Sequence, residues 1–204
     1  MSWKPTPPPF RAFKKDVYQK SSLVSDFIYQ IGEYDALRKP SLEIKHILSN
    51  DSQAKFAYIK KCLRQYRELT GYGRGITGVQ IGVPERFSVV YTPEDFLIIV
   101  NPVITKKSEK KFQYPEMCMS TSPIIAPTVR PAWIEFEYFD ENGNKQFWNT
   151  KDNTDLGRIL NRVFQHEIDH MDGIINIDIV RSPKDLILES DPNFYASATF
   201  EAVE

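Results

Sequence analysis

The chain has 204 residues, with 26 Lys and Arg against 27 Asp and Glu, and is 41% hydrophobic and 13% aromatic. That length suits one well-buried core, with a single domain as the default. A formal charge of −1 argues against nonspecific nucleic-acid binding, which needs a basic surface, and no apolar run approaches the roughly 20 residues that span a bilayer.

In chain order, residues 1–30 read as a Pro-rich extension and residues 31–204 as one domain ending in a polar tail. Met1 to Pro9 is expected to be extended and lacks the apolar core of a signal peptide. Two cysteines, Cys62 and Cys118, make no disulfide framework, so a reducing cytoplasm is expected. His46 lies in a segment, Leu42 to Leu48, with no other ligand-like residue, and reads as a surface or half-buried histidine. The spacing of Phe56, Ile59, Leu63, Tyr66 and Leu69 predicts a helix over Gln53–Leu69, ending near Gly71, with Cys62 in its packed face.

Short strands are expected at Phe87–Tyr91, Phe96–Val100 and Trp133–Phe139. Asp140 to Asn144 reads as a hairpin turn, with Lys145–Trp148 returning from it. Lys106, Lys107, Lys110 and Lys111 form a small basic patch that a solvated strand edge explains as well as a partner does. A second helix, capped by Thr154 or Asn153, carries Leu156, Ile159, Leu160, Val163 and Phe164 at helical spacing and stops near Gly173. Asn176–Val180 is expected as a short strand, and Asp185–Leu188 as a short helix, a sheet cap or a frayed end. The expected fold class is α+β, with antiparallel strands packed around this central helix.

That helix holds His166-Glu167-Ile168-Asp169-His170. Two imidazoles four apart share a helical face and can grip one metal ion, and the Glu beside the first lies near the open side. The plain alternative is a helical His pair that happens to flank acids. A catalytic site of this kind needs a third protein ligand. Asp178 and Glu189 are the conventional downstream candidates; Cys118 is better, because a thiolate binds soft and borderline metals strongly.

Gln165 to Gly173 resembles the last of three peptide deformylase motifs, Q-H-E-x-D-H-x-x-G. Glu116-Met117-Cys118-Met119-Ser120 resembles the middle motif, E-G-C-L-S, and Gly73 to Gln80 resembles the first, G-x-G-x-A-A-x-Q. The three stand in the family's order over about Ile31 to Val180, and Gly32 to Arg38 resembles the family's opening strand and turn. The resemblance implies removal of the formyl group from N-formylmethionyl peptides, near the ribosome, by a cytoplasmic enzyme that binds neither membrane nor nucleic acid directly. It implies Fe²⁺, with Zn²⁺, Ni²⁺ or Co²⁺ able to substitute, held by Cys118, His166 and His170.

Glu167 would then transfer protons, and the Gln80 amide and Met119 N–H would steady the oxyanion. Gly73, Arg74, Gly75, Tyr114, Arg162 and Val163 would line the substrate, and a Glu116–Arg130 ion pair would brace the Cys118 segment. Asp169 is either a group that orients a neighbour or a solvated helix acid.

The chain departs from the pattern at several points. Met117 replaces Gly, at a cost of about 1–2 kcal/mol if that position requires positive φ. Met119 replaces Leu, Thr77-Gly78 replaces paired alanines, and Ile125 stands where family members often carry Arg. Tyr114 and Arg162 fall where the first side-chain pocket is usually aliphatic, so Arg162 sends its charge to solvent along the pocket wall, keeps it inside for an acidic or polar partner, or points to the helix's outer face clear of the pocket. Three other readings remain open: a general metallopeptidase, a deformylase-like protein with altered preference or lost turnover, and a closed structural metal site.

Overall fold

A computed structural model describes residues 27–151, 154–189, 191 and 199–203. The extended arm, Asn153 as a cap and part of the tail lie outside the described residues. Helix α1, Asn50–Thr70, begins where the Ser49 side chain accepts the Ser52 N–H and ends where Gly71, at φ 76°, takes the left-handed conformation. Its inward residues Phe56, Ile59, Cys62 and Leu63 are buried, as the spacing predicts.

Among the described residues, nine strands follow in two antiparallel sheets. The first runs in the order β1 (Gly75–Thr77), β2 (Phe87–Tyr91), β3 (Phe96–Lys107), β6 (Ile134–Phe139), β7 (Lys145–Trp148). The second runs β8 (Ile187–Leu188), β5 (Ile124–Pro131), β4 (Lys111–Met117), β9 (Glu201–Val203).

Alternation along β2 and β3 sorts side chains to opposite faces of the first sheet. Val89, Ile98 and Val100 meet α1. Val90 and Ile99 join Leu160, Phe164, Ile168 and Met171 of helix α2, Asp155–Met171. Both faces are therefore covered, which is why Phe87 to Val90 is buried without a break. The far side of α2 meets the second sheet, where Gln165 donates to the Pro131 carbonyl. Thr154 caps α2 by accepting the Gly157 N–H. The helix is thus central, as the α+β reading requires.

Several boundaries differ from expectation. Ile28, placed in the extension, is fully buried, and the Tyr29 N–H donates to the Gln80 carbonyl, so packing starts before residue 31. Gly32 to Arg38 holds a 3-10 turn over Asp35–Arg38 and no strand. Asn176–Val180 is likewise a 3-10 turn over Asn176–Ile179. The Asp178 carboxylate accepts the Ile175 N–H, closing a turn that an extended strand could not make. The stretch expected at Asp185–Leu188 splits into a 3-10 turn, Pro183–Asp185, and β8. Strands β4 and β5 were not expected; Pro115 and Pro127, opposite each other in the ladder, weaken the strand signal. The four lysines of the basic patch are exposed: Lys106 and Lys107 end β3 where it pairs with β6 alone, Lys110 lies in the turn, and Lys111 begins β4.

Gly173, at φ 78°, passes so close to the 38–39 backbone that a Cβ would lie 2.8 Å from the Arg38 carbonyl carbon. Neither the backbone angle nor the neighbour can yield cheaply. Gly173→Ala is expected to lower stability by more than about 1–2 kcal/mol, read as a fall in urea midpoint; an unchanged midpoint would show that the end of α2 can move away from this segment.

Candidate metal centre and cleft

One turn of α2 separates His166 from His170, with ring centroids 4.9 Å apart. Cys118 follows β4, and its Sγ lies 3.1 Å from His170 Nε2. One ligand atom from each of the three lies within 4.8 Å of the others. Burial alone would raise the Cys118 thiol, but the two imidazoles outweigh it and hold the thiol well below its usual range, toward the thiolate that ligates metal. The second ring nitrogen of His170, Nδ1, is buried with no hydrogen-bond partner. His166 turns its Nδ1 to Glu116 Oε2 at 3.3 Å, leaving Nε2 for the centre, in the carboxylate–histidine pattern that orients metal-binding imidazoles. The donor set therefore fits a divalent transition metal.

The other ligand candidates do not join this group. Asp178 pairs with Arg38 at 2.7 Å, Glu189 stands on a cavity wall, and His46 is exposed, as expected.

Around the centre the cavity measures about 490 Å³. It is lined by Gly73, Arg74, Gly75, Gln80, Tyr114, Glu116, Cys118, Met119, Arg162, Val163, His166 and Glu167. Glu167 is buried, and burial pushes its carboxyl up. Thr77 Oγ1 donates to Glu167 Oε2 at 2.5 Å, while a Cβ on Gly75 would run into the same carboxylate. The Gln80 amide is set from both ends: Oε1 accepts the Thr77 N–H at 2.8 Å, and Nε2 donates to Ser120 Oγ at 3.0 Å while lying 3.8 Å from the Cys118 sulfur. At Gly73, φ is 97° and a Cβ would press on Tyr66 and Met119.

Sequence reasoning treated Thr77 only as a departure from paired alanines and Tyr66 only as helix packing. Both border the reactive groups. The signal for Thr77 was its hydroxyl, a donor that the alanine it replaces lacks.

Behind the centre, Arg130 holds Glu116 through Nε at 2.7 Å and Nη2 at 3.1 Å, and reaches Asp169 through Nη1 at 2.6 Å. Asp169 therefore orients a neighbour. Arg162 follows the inward alternative. Its guanidinium stays inside, but the partners belong to this chain: Glu116 at 2.7 Å, the Phe112 carbonyl at 3.0 Å, and the Thr128 carbonyl and hydroxyl at 2.8 and 2.7 Å. Burial would raise the Glu116 carboxyl, yet Arg130, His166 and Arg162 hold it well below the usual range. Met117 ends β4 in register with Ile125. Among the described non-glycine residues only Asn101 has positive φ, so the cost anticipated at Met117 does not arise.

An α+β fold that brings a Cys/His/His group and a buried glutamate to one cleft defines a class of metal-capable proteins. Within that class, the model of the Polypeptide deformylase family matches residues 27–185. A peptide deformylase of Synechocystis is 32% identical over 152 residues, covering 72% of this chain and 75% of that protein. One from Rhizobium meliloti is 33% identical over 117 residues, 55% of this chain; the chain spans only 64% of that relative's length. Among solved structures, a peptide deformylase from Synechococcus elongatus in complex with actinonin aligns with a TM-score of 0.64 at 25% identity, covering 78% of this chain and 80% of that one. The Thermotoga maritima peptide deformylase gives 0.67 at 22% identity over 76% and 97%, a likeness of fold. The chain belongs to the polypeptide deformylase family.

Replacing Cys118, His166 or His170 by Ala is expected to strip most bound metal, since each would be one of three ligands; elemental analysis after dialysis checks this, and Cys118→Ala with full metal would require another third ligand. Glu116→Ala leaves Arg130 and Arg162 buried without their shared anion and is expected to cost about 3–5 kcal/mol in denaturant unfolding. Arg162→Leu should also destabilise, through the carbonyls it uncovers, while little change in either variant would mean that water replaces the network.

Proposed function

We propose that the protein hydrolyses the formyl amide at the N-terminal methionine of nascent peptides, with Fe²⁺ as the ion held by Cys118, His166 and His170. The supporting observation is the convergence on one cleft of this ligand set, the Glu167 carboxylate and the Gln80 amide. When bound, the ion supplies the Lewis acidity that makes water nucleophilic near neutral pH.

The chain's own groups do the rest. Glu167, its pKa raised by burial, takes the proton of the attacking water and returns it to the departing amine. Thr77 fixes one of its oxygens, leaving the other toward the cleft. As the formyl carbon becomes tetrahedral, its oxygen gains charge, and Gln80 Nε2 with the Met119 N–H donates to it. Gln80 needs no reorganisation for this, because its amide is already anchored at Thr77 and Ser120. Gly73 and Gly75 let an extended peptide lie against the backbone of the first motif.

Arg162, spent on Glu116 and the carbonyls, offers a substrate no free charge, so the first side-chain pocket is closed by a stem and by Tyr114 and remains suited to an apolar side chain. Such a protein would act where formylated chains emerge, beside the ribosome in the cytoplasm.

Glu167→Ala is expected to keep its metal and lose turnover of a formyl-Met peptide by orders of magnitude, and Gln80→Ala should lose roughly 10²–10³-fold in kcat. Metal loss in the Glu167 variant, with activity restored by added metal, would reverse that assignment. Cleavage of an unformylated peptide by the wild type would instead favour a general peptidase.

A further inference from the structure

Glu189 has no part in the groups described so far. It lies beyond the residues matched by the family model, 27–185, just after β8, which pairs Ile187 with Ile125 and Leu188 with Ile124. Its N–H donates to the Pro123 carbonyl at 2.8 Å, which pins the residue to the start of β5. It is only 9% exposed and lines the same cavity as Cys118 and Glu167.

Among the described residues its carboxylate has no hydrogen bond and no ion pair. Burial pushes its carboxyl up, and no neighbouring cation offsets this. A carboxylate placed so is costly unless something cationic joins it. Tyr66 and Ile124 line this cavity with it. The same Tyr66 ring packs where a Cβ on Gly73 would sit. A peptide lying along Gly73 to Gly75, with its formyl end at Cys118 and Glu167, therefore continues past Tyr66 and Glu189. A cavity of about 490 Å³ exceeds what one residue fills, since pockets of roughly 300–1,000 Å³ hold drug-sized ligands.

From this placement we infer that Glu189 is a specificity residue that selects formyl peptides carrying a Lys or Arg side chain at one of the two positions after the formylated methionine. The proposal rests on the cleft being the formyl-peptide site. The ammonium or guanidinium supplies the missing partner, and the apolar stem lies on Tyr66 and Ile124, as such stems do. Ile125 is apolar at this wall, and among the described residues no Lys or Arg pairs with the carboxylate.

The test uses the metal-loaded full chain and formyl-Met-X-Y peptides in which X or Y is Lys, norleucine or Glu. At one of the two positions, kcat/KM for Lys is expected to exceed that for norleucine by roughly tenfold, as a charged hydrogen bond in a part-buried site contributes, with Glu lowest. Glu189→Gln should bring the Lys-to-norleucine ratio to near one, and Glu189→Lys should invert the ranking toward Glu, which a merely structural role would not do. Equal rates for Lys and norleucine in the wild type, or an unchanged ratio in Glu189→Gln, overturns the inference. Fluorescence anisotropy of the same labelled peptides gives the binding ranking independently of turnover. If no formyl peptide is deformylated, the activity reading fails alone, and the anisotropy ranking still decides the role of Glu189.

Discussion

The grip of three cationic or ionisable side chains on one buried carboxylate, Glu116, holds the rest of this structure in place. Arg130 comes from β5, Arg162 and His166 from α2, and Glu116 itself from β4. A single carboxylate thus joins both central strands of the second sheet to the metal-capable helix. Its charge is costly to bury alone, and its partners are equally costly without it. The arrangement is therefore all or none, and it fixes the distance between Cys118, two residues after Glu116, and the two histidines. The Asn176 amide reinforces it by donating to the Glu116 carbonyl at 3.1 Å.

The first sheet provides the other half of the site. It lies between α1 and α2, and its edge strand β1 runs beside Glu167. Absence of a side chain at Gly75 makes room for the Glu167 carboxylate, and the Thr77 hydroxyl secures it. The turn that follows β1 presents Gln80 to Cys118 and Ser120. Two sheets that share no strand thus hold the Glu167 carboxylate and the metal-capable Cys118, His166 and His170 group together on one helix. Both arrays are preorganised, and preorganisation is what such donors need in order to favour a transition state.

Much of the site was legible in the sequence because its chemistry is carried by local spacing. His166 and His170 share a face by helix geometry alone, and Thr154 and Gly71 mark helix ends by rules that act within a few residues. Strand β2 and the β6–β7 hairpin were readable from apolar runs and Asn-Gly turn chemistry. Strands β4 and β5 were not, since their prolines break the local signal while long-range pairing supplies the hydrogen bonds. Asn176 to Val180 misled because its β-branched residues suggest a strand, whereas the Asp178 carboxylate and burial of Asn176 impose a turn.

The sequence by itself determined the metal-capable residue types, the helix that carries two of them, the order of the three motifs and the α+β class, because each depends on contacts within a turn or on residue chemistry. Only the tertiary structure decided which third ligand meets the histidines, since Cys118, Asp178 and Glu189 differ in where distant strands and turns place them. It also decided the fate of Arg162. A long cation at a pocket position can face solvent, substrate or its own protein, and only the packing of β4 and β5 against α2, which sets Glu116 and three carbonyl and hydroxyl groups around the guanidinium, selects the last.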